Sequence, residues 1–170
     1  MKRTGLLIVA LLAALLVASS AAPAVETFAR VIDGTQRNDR ITGTERNDYV
    51  NARDGDDTVI GKGGNDDIYG ERGGDSISGS DGTDDILGGD GNDELRGGNG
   101  QDDIYGGDGA DTITGGDGTD ELAGGNNSDT INALGGGADN VDCGLGTNDR
   151  AIVDKGRDGY DRTCERVTER

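Results

Sequence analysis

"GGDGNDELR" (Gly88–Arg96), "GGNGQDDIY" (Gly97–Tyr105), "GGDGADTIT" (Gly106–Thr114) and "GGDGTDELA" (Gly115–Ala123) follow one another without a break. All four obey one rule, Gly-Gly-x-Gly-x-Asp-x-U-x, where U is a branched aliphatic residue. Followed outward, the sixth-position aspartate recurs at Asp39, Asp48, Asp57, Asp66, Asp75, Asp84, Asp93, Asp102, Asp111, Asp120 and Asp129, always nine residues apart. Two residues after each stands U: Ile41, Val50, Val59, Ile68, Ile77, Ile86, Leu95, Ile104, Ile113, Leu122 and Ile131. Such a period marks a solenoid, in which each unit buries its apolar residue only by stacking on its neighbours.

The spelling has a physical reading. The x-U-x triplet is a minimal strand, with U facing one way and its neighbours the other. Glycines allow the positive φ and close backbone approach that tight turns between stacked strands require. An ionised aspartate only accepts hydrogen bonds, so with turn carbonyls it makes an oxygen-rich cradle for a hard cation.

A second period lies beneath the first. In odd units the residues flanking U are mostly hydroxylic: Thr58 and Ile60, Ser76 and Ser78, Thr112 and Thr114, Thr130 and Asn132, with Glu94 and Arg96 between. In even units an acid precedes U and a larger or apolar residue follows: Asp67 and Tyr69, Asp85 and Leu87, Asp103 and Tyr105, Glu121 and Ala123. An 18-residue coil with one nonapeptide on each of two sheets produces this alternation, and Tyr69, Leu87 and Tyr105 then stack as a ladder on one face.

The motif resembles the RTX, or haemolysin-type, calcium-binding nonapeptide family, over residues 34–132. The resemblance implies an all-β parallel β-roll with two nonapeptides per coil, holding several Ca²⁺ ions. Carried onto this chain, it implies side-chain ligation by Asp57, Asp66, Asp75, Asp84, Asp93, Asp102, Asp111, Asp120 and Asp129. It implies main-chain ligation from the glycine-rich loops, best spelled by Gly88, Gly89, Gly91, Gly97, Gly98, Gly100, Gly106, Gly107, Gly109, Gly115, Gly116 and Gly118. Loops 39/57/75/93/111/129 stack along one edge and 48/66/84/102/120 along the other. Asp39 and Asp48 stand apart, because Arg37 and Arg46 replace the third glycine of their loops. These arginines are expected to pair with carboxylates and leave the first coil poor in calcium.

Composition agrees with a roll that needs an ion. The chain has 170 residues, 33 of them glycine, with 31% apolar, 3% aromatic and a net charge of −18. Residues 34–132 hold 24 acidic and seven basic side chains, net −17. One aliphatic side chain per nonapeptide is a thin core against the entropy of ordering the segment, and stacked like charges oppose folding further. A cation held between coils supplies the missing free energy. The acidity argues against a nucleic-acid partner, and the lack of any histidine removes the commonest general base, so no enzymatic activity is expected.

The flanks read differently. Residues 1–24 carry Lys2, Arg3, an apolar run from Leu6 to Val17 and small residues at Ala22 and Ala24, the pattern of a cleaved secretory signal. The mature chain is thus expected to be secreted, with no membrane span and with an oxidising environment that favours a Cys143–Cys164 bridge. Residues 25–33 read as an N-terminal cap containing Phe28, Val31 and Ile32, and residues 133–170 as a C-terminal cap. Asp154–Glu165 nearly spells an EF-hand loop, though Gly156 falls where a ligand is needed. Asn126 begins a glycosylation sequon. Beyond calcium, a protein or glycan partner at a cell surface is the other expectation, served by the tyrosine-bearing face.

Overall fold

A computed structural model describes residues 30–170. The leader expected over residues 1–24, and Phe28, lie outside the described residues. Sixteen strands wind through this segment, and among the described residues there is no helix, hence none able to cross a membrane.

The strands are β1 Arg30–Asp33, β2 Arg40–Thr42, β3 Asp48–Asn51, β4 Thr58–Gly63, β5 Asp67–Arg72, β6 Ser76–Asp81, β7 Asp85–Asp90 and β8 Glu94–Asn99. They continue as β9 Asp103–Asp108, β10 Thr112–Asp117, β11 Glu121–Asn126, β12 Thr130–Ala133, β13 Asn140–Asp142, β14 Arg150–Val153, β15 Gly159–Tyr160 and β16 Arg166–Glu169. Odd strands form one parallel eight-stranded sheet and even strands the other. The chain is therefore an all-β parallel solenoid of about eight coils. At ~4.8 Å per rung its seven steps span about 34 Å.

The register is the 18-residue period made visible: Ile86 pairs with Ile104, and Ile77 with Leu95. Every U residue from Ile41 to Ile131 is buried, and together they form one continuous core with Val141, Ala151 and Val153. Flanking residues point outward, so Thr112 aligns with Thr130 on one face and Leu87 with Tyr105 on the other.

The segment from 133 to 170 goes on coiling, since β13 to β16 extend both sheets. Spacing there loosens: Glu121 pairs with Asn140, Thr130 with Arg150, and Arg150 with Arg166, steps of 19, 20 and 16 residues. The added or missing residues fall in turns, which leaves strand register intact. Cys143 and Cys164 are joined by a disulfide, with Cys143 fully buried at the slot that a glycine fills in the central units. At the other end β1 is a full rung, pairing Val31 with Tyr49 and Ile32 with Val50.

Candidate metal centre

Each nonapeptide delivers its aspartate to the turn just before a strand, where it is drawn inward. Asp57, Asp66, Asp75, Asp84, Asp93, Asp102, Asp111, Asp120 and Asp129 are all buried, none more than 3% exposed. Buried carboxylates are rare unless partnered. Their arrangement supplies one partner each.

In every case one oxygen bridges to the coil before. Asp57 Oδ1 accepts from the Asp39 main-chain N–H at 2.6 Å, Asp75 from Asp57 at 2.8 Å, Asp93 from Asp75 at 2.8 Å, and Asp111 from Asp93 at 2.9 Å. Along the other edge Asp66 accepts from Asp48 at 2.7 Å, Asp84 from Asp66 at 2.8 Å, Asp102 from Asp84 at 2.9 Å and Asp120 from Asp102 at 3.1 Å. Two columns of aspartates thus run the length of the roll, divided between the edges as the sequence predicted.

The second oxygen is left over. Oδ2 of Asp57, Asp66, Asp75, Asp84, Asp93, Asp102, Asp111, Asp120, Asp129, Asp139 and Asp149 is buried and meets no donor. It turns over the first glycine of its own loop, close to a carbonyl of the next coil. A side-chain carbon on Gly88 would lie 2.6 Å from Gly106 O and closer still to Asp93 Oδ2. Gly97 repeats this with Gly115 O at 2.8 Å and Asp102 Oδ2, and Gly70 with Gly88 O at 2.5 Å and Asp75 Oδ2. Gly106 and Gly115 likewise sit under Asp111 Oδ2 and Asp120 Oδ2. Carboxylate and carbonyl oxygens therefore gather in one water-poor space, an arrangement that calls for a cation.

The other loop glycines make the turn. Gly89, Gly98, Gly107 and Gly116 have φ between 117° and 126°. Gly91, Gly100 and Gly109 also have positive φ, and a side chain on them, or on Gly118, would collide with the carbonyl of Gly73, Gly82, Gly91 or Gly100 in the coil before. Sheet pairing skips the first glycine of each central unit, passing from Leu87↔Tyr105 to Gly89↔Gly107.

The electrostatics follow from burial. Loss of water pushes Asp84 and Asp111 up to about 7 and Asp75, Asp102, Asp129 and Asp139 up to about 6. The bridging main-chain N–H opposes the rise, and carboxylates in neighbouring coils add to it. Asp57, Asp66, Asp93 and Asp120 move in the same direction for the same reason. Among the described residues no group of three or more acidic or cysteine side chains encloses a metal-sized point. A cation between coils must therefore draw much of its shell from main-chain oxygens. All the donors at hand are hard oxygens, which suit Ca²⁺ rather than a thiophilic metal.

The sequence model for the RTX calcium-binding nonapeptide repeat (4 copies) matches residues 33–68, 60–95 and 96–131. The chain belongs to this family. Among curated proteins no match is found.

As an RTX roll the chain departs from its repeat at both ends. The aspartate columns outrun the matched segment: Asp139 accepts from Asp120 N–H at 2.9 Å, Asp149 from Asp129 at 2.9 Å, Asp158 from Asp139 at 3.2 Å, and Glu165 Oε2 from Asp149 at 2.6 Å. The near-match to an EF-hand at Asp154–Glu165 falls within these columns. It is flanked by strands β14 and β16 rather than helices, Asp158 and Glu165 serve the columns, and Asp154 Oδ2 accepts from Gly135 N–H at 3.1 Å and Arg157 at 3.3 Å.

Among the described residues Arg37 and Arg46 form no ion pair with a carboxylate. Threonines hold the first-coil aspartates. Asp39 Oδ2 accepts from Thr35 N–H at 2.6 Å and its hydroxyl at 2.8 Å, and Asp48 Oδ2 from Thr44 N–H at 2.6 Å and its hydroxyl at 3.0 Å.

Proposed function

We propose that this RTX roll is a secreted protein that folds on binding several Ca²⁺ ions outside the cytoplasm. One observation carries the reading: eleven buried carboxylate oxygens, stacked coil upon coil, have no donor. With the ion absent, each adds repulsion and lost hydration to a thin core; with it bound, the same atoms become attractive contacts between coils. Ligands come from Asp57, Asp66, Asp75, Asp84, Asp93, Asp102, Asp111, Asp120 and Asp129, with carbonyls from loops such as 88–91, 97–100, 106–109 and 115–118. Extracellular calcium modules bind at about 10⁻⁴ to 10⁻³ M, so the chain stays open in the cytosol and orders outside. The leader-like residues 1–24 support this route.

The test is far-UV circular dichroism of residues 25–170 with the disulfide intact, titrated with CaCl₂ from an EDTA-treated start and with MgCl₂ as control. A coil-to-β transition at millimolar calcium, absent with magnesium, is expected. A roll already formed in EDTA at neutral pH would remove folding from the proposal.

A second reading is favoured by one feature of the odd-strand sheet. Tyr69, Leu87 and Tyr105 align on its outer face beside Asp67, Asp85 and Asp103, with Tyr105 45% exposed. The folded roll then presents this face to a protein or glycan. Loss of cell-surface binding by Tyr69→Ser/Tyr105→Ser, with calcium-induced folding retained, would support it.

A further inference from the structure

The first coil solves the unpaired-oxygen problem differently from the coils above it. We propose that Thr35 and Thr44 take the place of calcium at Asp39 and Asp48, which makes the first coil a metal-free end and confines the ion to loops from Asp57 onward. The inference rests on the calcium reading given above.

Position decides the matter. In both loops the threonine is the second residue and the aspartate the sixth, so the threonine N–H and hydroxyl reach the same carboxylate oxygen, Oδ2. In the loops of Asp57, Asp66, Asp75, Asp84, Asp93, Asp102, Asp111, Asp120 and Asp129 this oxygen is buried and bare. The second residues there are Arg53, Lys62, Glu71, Ser80, Gly89, Gly98, Gly107, Gly116 and Gly125, and every one has positive φ, from 77° to 126°. Thr35 and Thr44 do not.

The cause is the side chain itself. A β-branched residue is disfavoured at positive φ more strongly than glycine, serine or an unbranched chain. Threonine therefore holds the loop in the other backbone state, with its N–H aimed at the carboxylate. Two donors now neutralise the oxygen that would face the ion, and a cation entering would have to displace them. Asp48 Oδ1 does stay unpaired, because Arg30 N–H goes to Asn47 O, but that oxygen belongs to the bridging set and not to the loop-facing one. The far end uses the same i,i+4 device: Asp158 Oδ2 accepts from Asp154 N–H at 2.5 Å while its Oδ1 bridges to Asp139.

The arginines have a separate explanation. Gly55 and Gly64 pack directly against the backbone at Arg37 and Arg46, whereas Arg37 and Arg46 have no described coil beneath them. Among the described residues, nothing beneath them demands a glycine.

Two measurements decide the proposal. In crystals of the wild-type protein grown with CaCl₂, anomalous maps should place calcium at loops from Asp57 upward and none at Asp39 or Asp48. By native mass spectrometry, Thr35→Gly/Thr44→Gly should bind at least one more Ca²⁺ than wild type. Thr35→Val/Thr44→Val, which keeps β-branching and the N–H, should match wild type. Calcium at Asp39 or Asp48 in the wild-type map overturns the proposal, even where the glycine variant fails to fold. It is overturned equally if Arg37→Gly/Arg46→Gly adds an ion and the threonine variant does not. A wild-type protein that binds no calcium anywhere sinks the parent reading as well, an outcome distinct from full occupancy of the first coil.

Discussion

Replacing Asp102 by asparagine should have opposite effects with and without calcium. Asp102 is 1% exposed, its Oδ1 accepts from Asp84 N–H, and its Oδ2 lies near Gly115 O with no donor. Asparagine keeps the accepting oxygen and puts an NH₂ where Oδ2 was, so the bare acceptor becomes a donor facing a carbonyl. The magnitude comes from the carboxyl's own titration. Burial holds it near 6 rather than 3.8, which above pH 7 amounts to about 3 kcal/mol against the folded state. The sign is that of a raised carboxyl: its contribution to stability is fully present below pH 3.8 and is lost as pH rises through 6. In EDTA the wild-type β signal should therefore fade as pH increases from 4 to 7, and Asp102→Asn should carry that midpoint to higher pH. In excess calcium the ranking should invert, the variant needing more calcium for half-maximal folding because a ligand is gone. Circular dichroism against pH, with EDTA or with 5 mM CaCl₂ (roughly the millimolar range of extracellular modules), reads both arms. A variant less stable than wild type under both conditions would refute the argument that the bare oxygen is a liability awaiting a cation.

Other expectations concern the turns and the bridge. Gly100→Ala places a side chain at φ 135° and against Gly82 O, so thermal melting in calcium should show a loss of at least about 2 kcal/mol; Arg46→Gly, at the matching place with no described coil beneath, should not. Lys62→Gly and Glu71→Gly relieve φ of 89° and 77° and should each stabilise the calcium-bound roll by about 1 kcal/mol, read as a higher urea midpoint. Cys143→Ala/Cys164→Ala opens a loop with 20 intervening residues and should remove about 3 kcal/mol, with hydrogen exchange rising first in β13 to β16.

Much of this architecture was legible from two periods. Nine residues located each aspartate and each U, and eighteen assigned Thr112 to one face and Tyr105 to the other, as the register has them. Three features were harder to read. The columns reach Asp149, Asp158 and Glu165 because acid-x-apolar triplets persist ("DRA", "DGY", "ERV") while the glycines thin to Gly144 and Gly146 before Asp149, Gly156 before Asp158 and none between Asp161 and Glu165. A search keyed on glycine stops too early there, since inserted residues sit in turns and leave the strand register intact. Thr35 and Thr44 carry a signal that was present but small: they are the β-branched residues at the second position of their loops. Composition pointed instead to Arg37 and Arg46, because charge attracts attention where backbone conformation decides. The split of each carboxylate into one bridging and one bare oxygen has no trace in the letters, since it depends on how adjacent coils stack.

The same stacking explains why the repeat is best spelled in its middle. A loop between two others must accept a carbonyl from the coil before it, which demands glycine at its fourth position, as at Gly91, Gly100 and Gly109. It must also turn its second residue to positive φ, which leaves the aspartate oxygen bare. Both demands weaken in the first described coil, beneath which no described coil lies. There Arg37 and Arg46 stand in place of glycine, and Thr35 and Thr44 close the loop on its own aspartate. Fidelity to the motif therefore follows how many described neighbours a loop has and how far its carboxylate depends on an ion. On that argument Lys62, Glu71 and Ser80, which hold positive φ without being glycine, mark the border of the calcium-dependent region. Their loops should need higher calcium to order than those at Gly89, Gly98 and Gly107. Hydrogen exchange at increasing calcium should show the loops of Asp93, Asp102 and Asp111 protected first, and simultaneous protection of all loops would break the link between spelling and affinity.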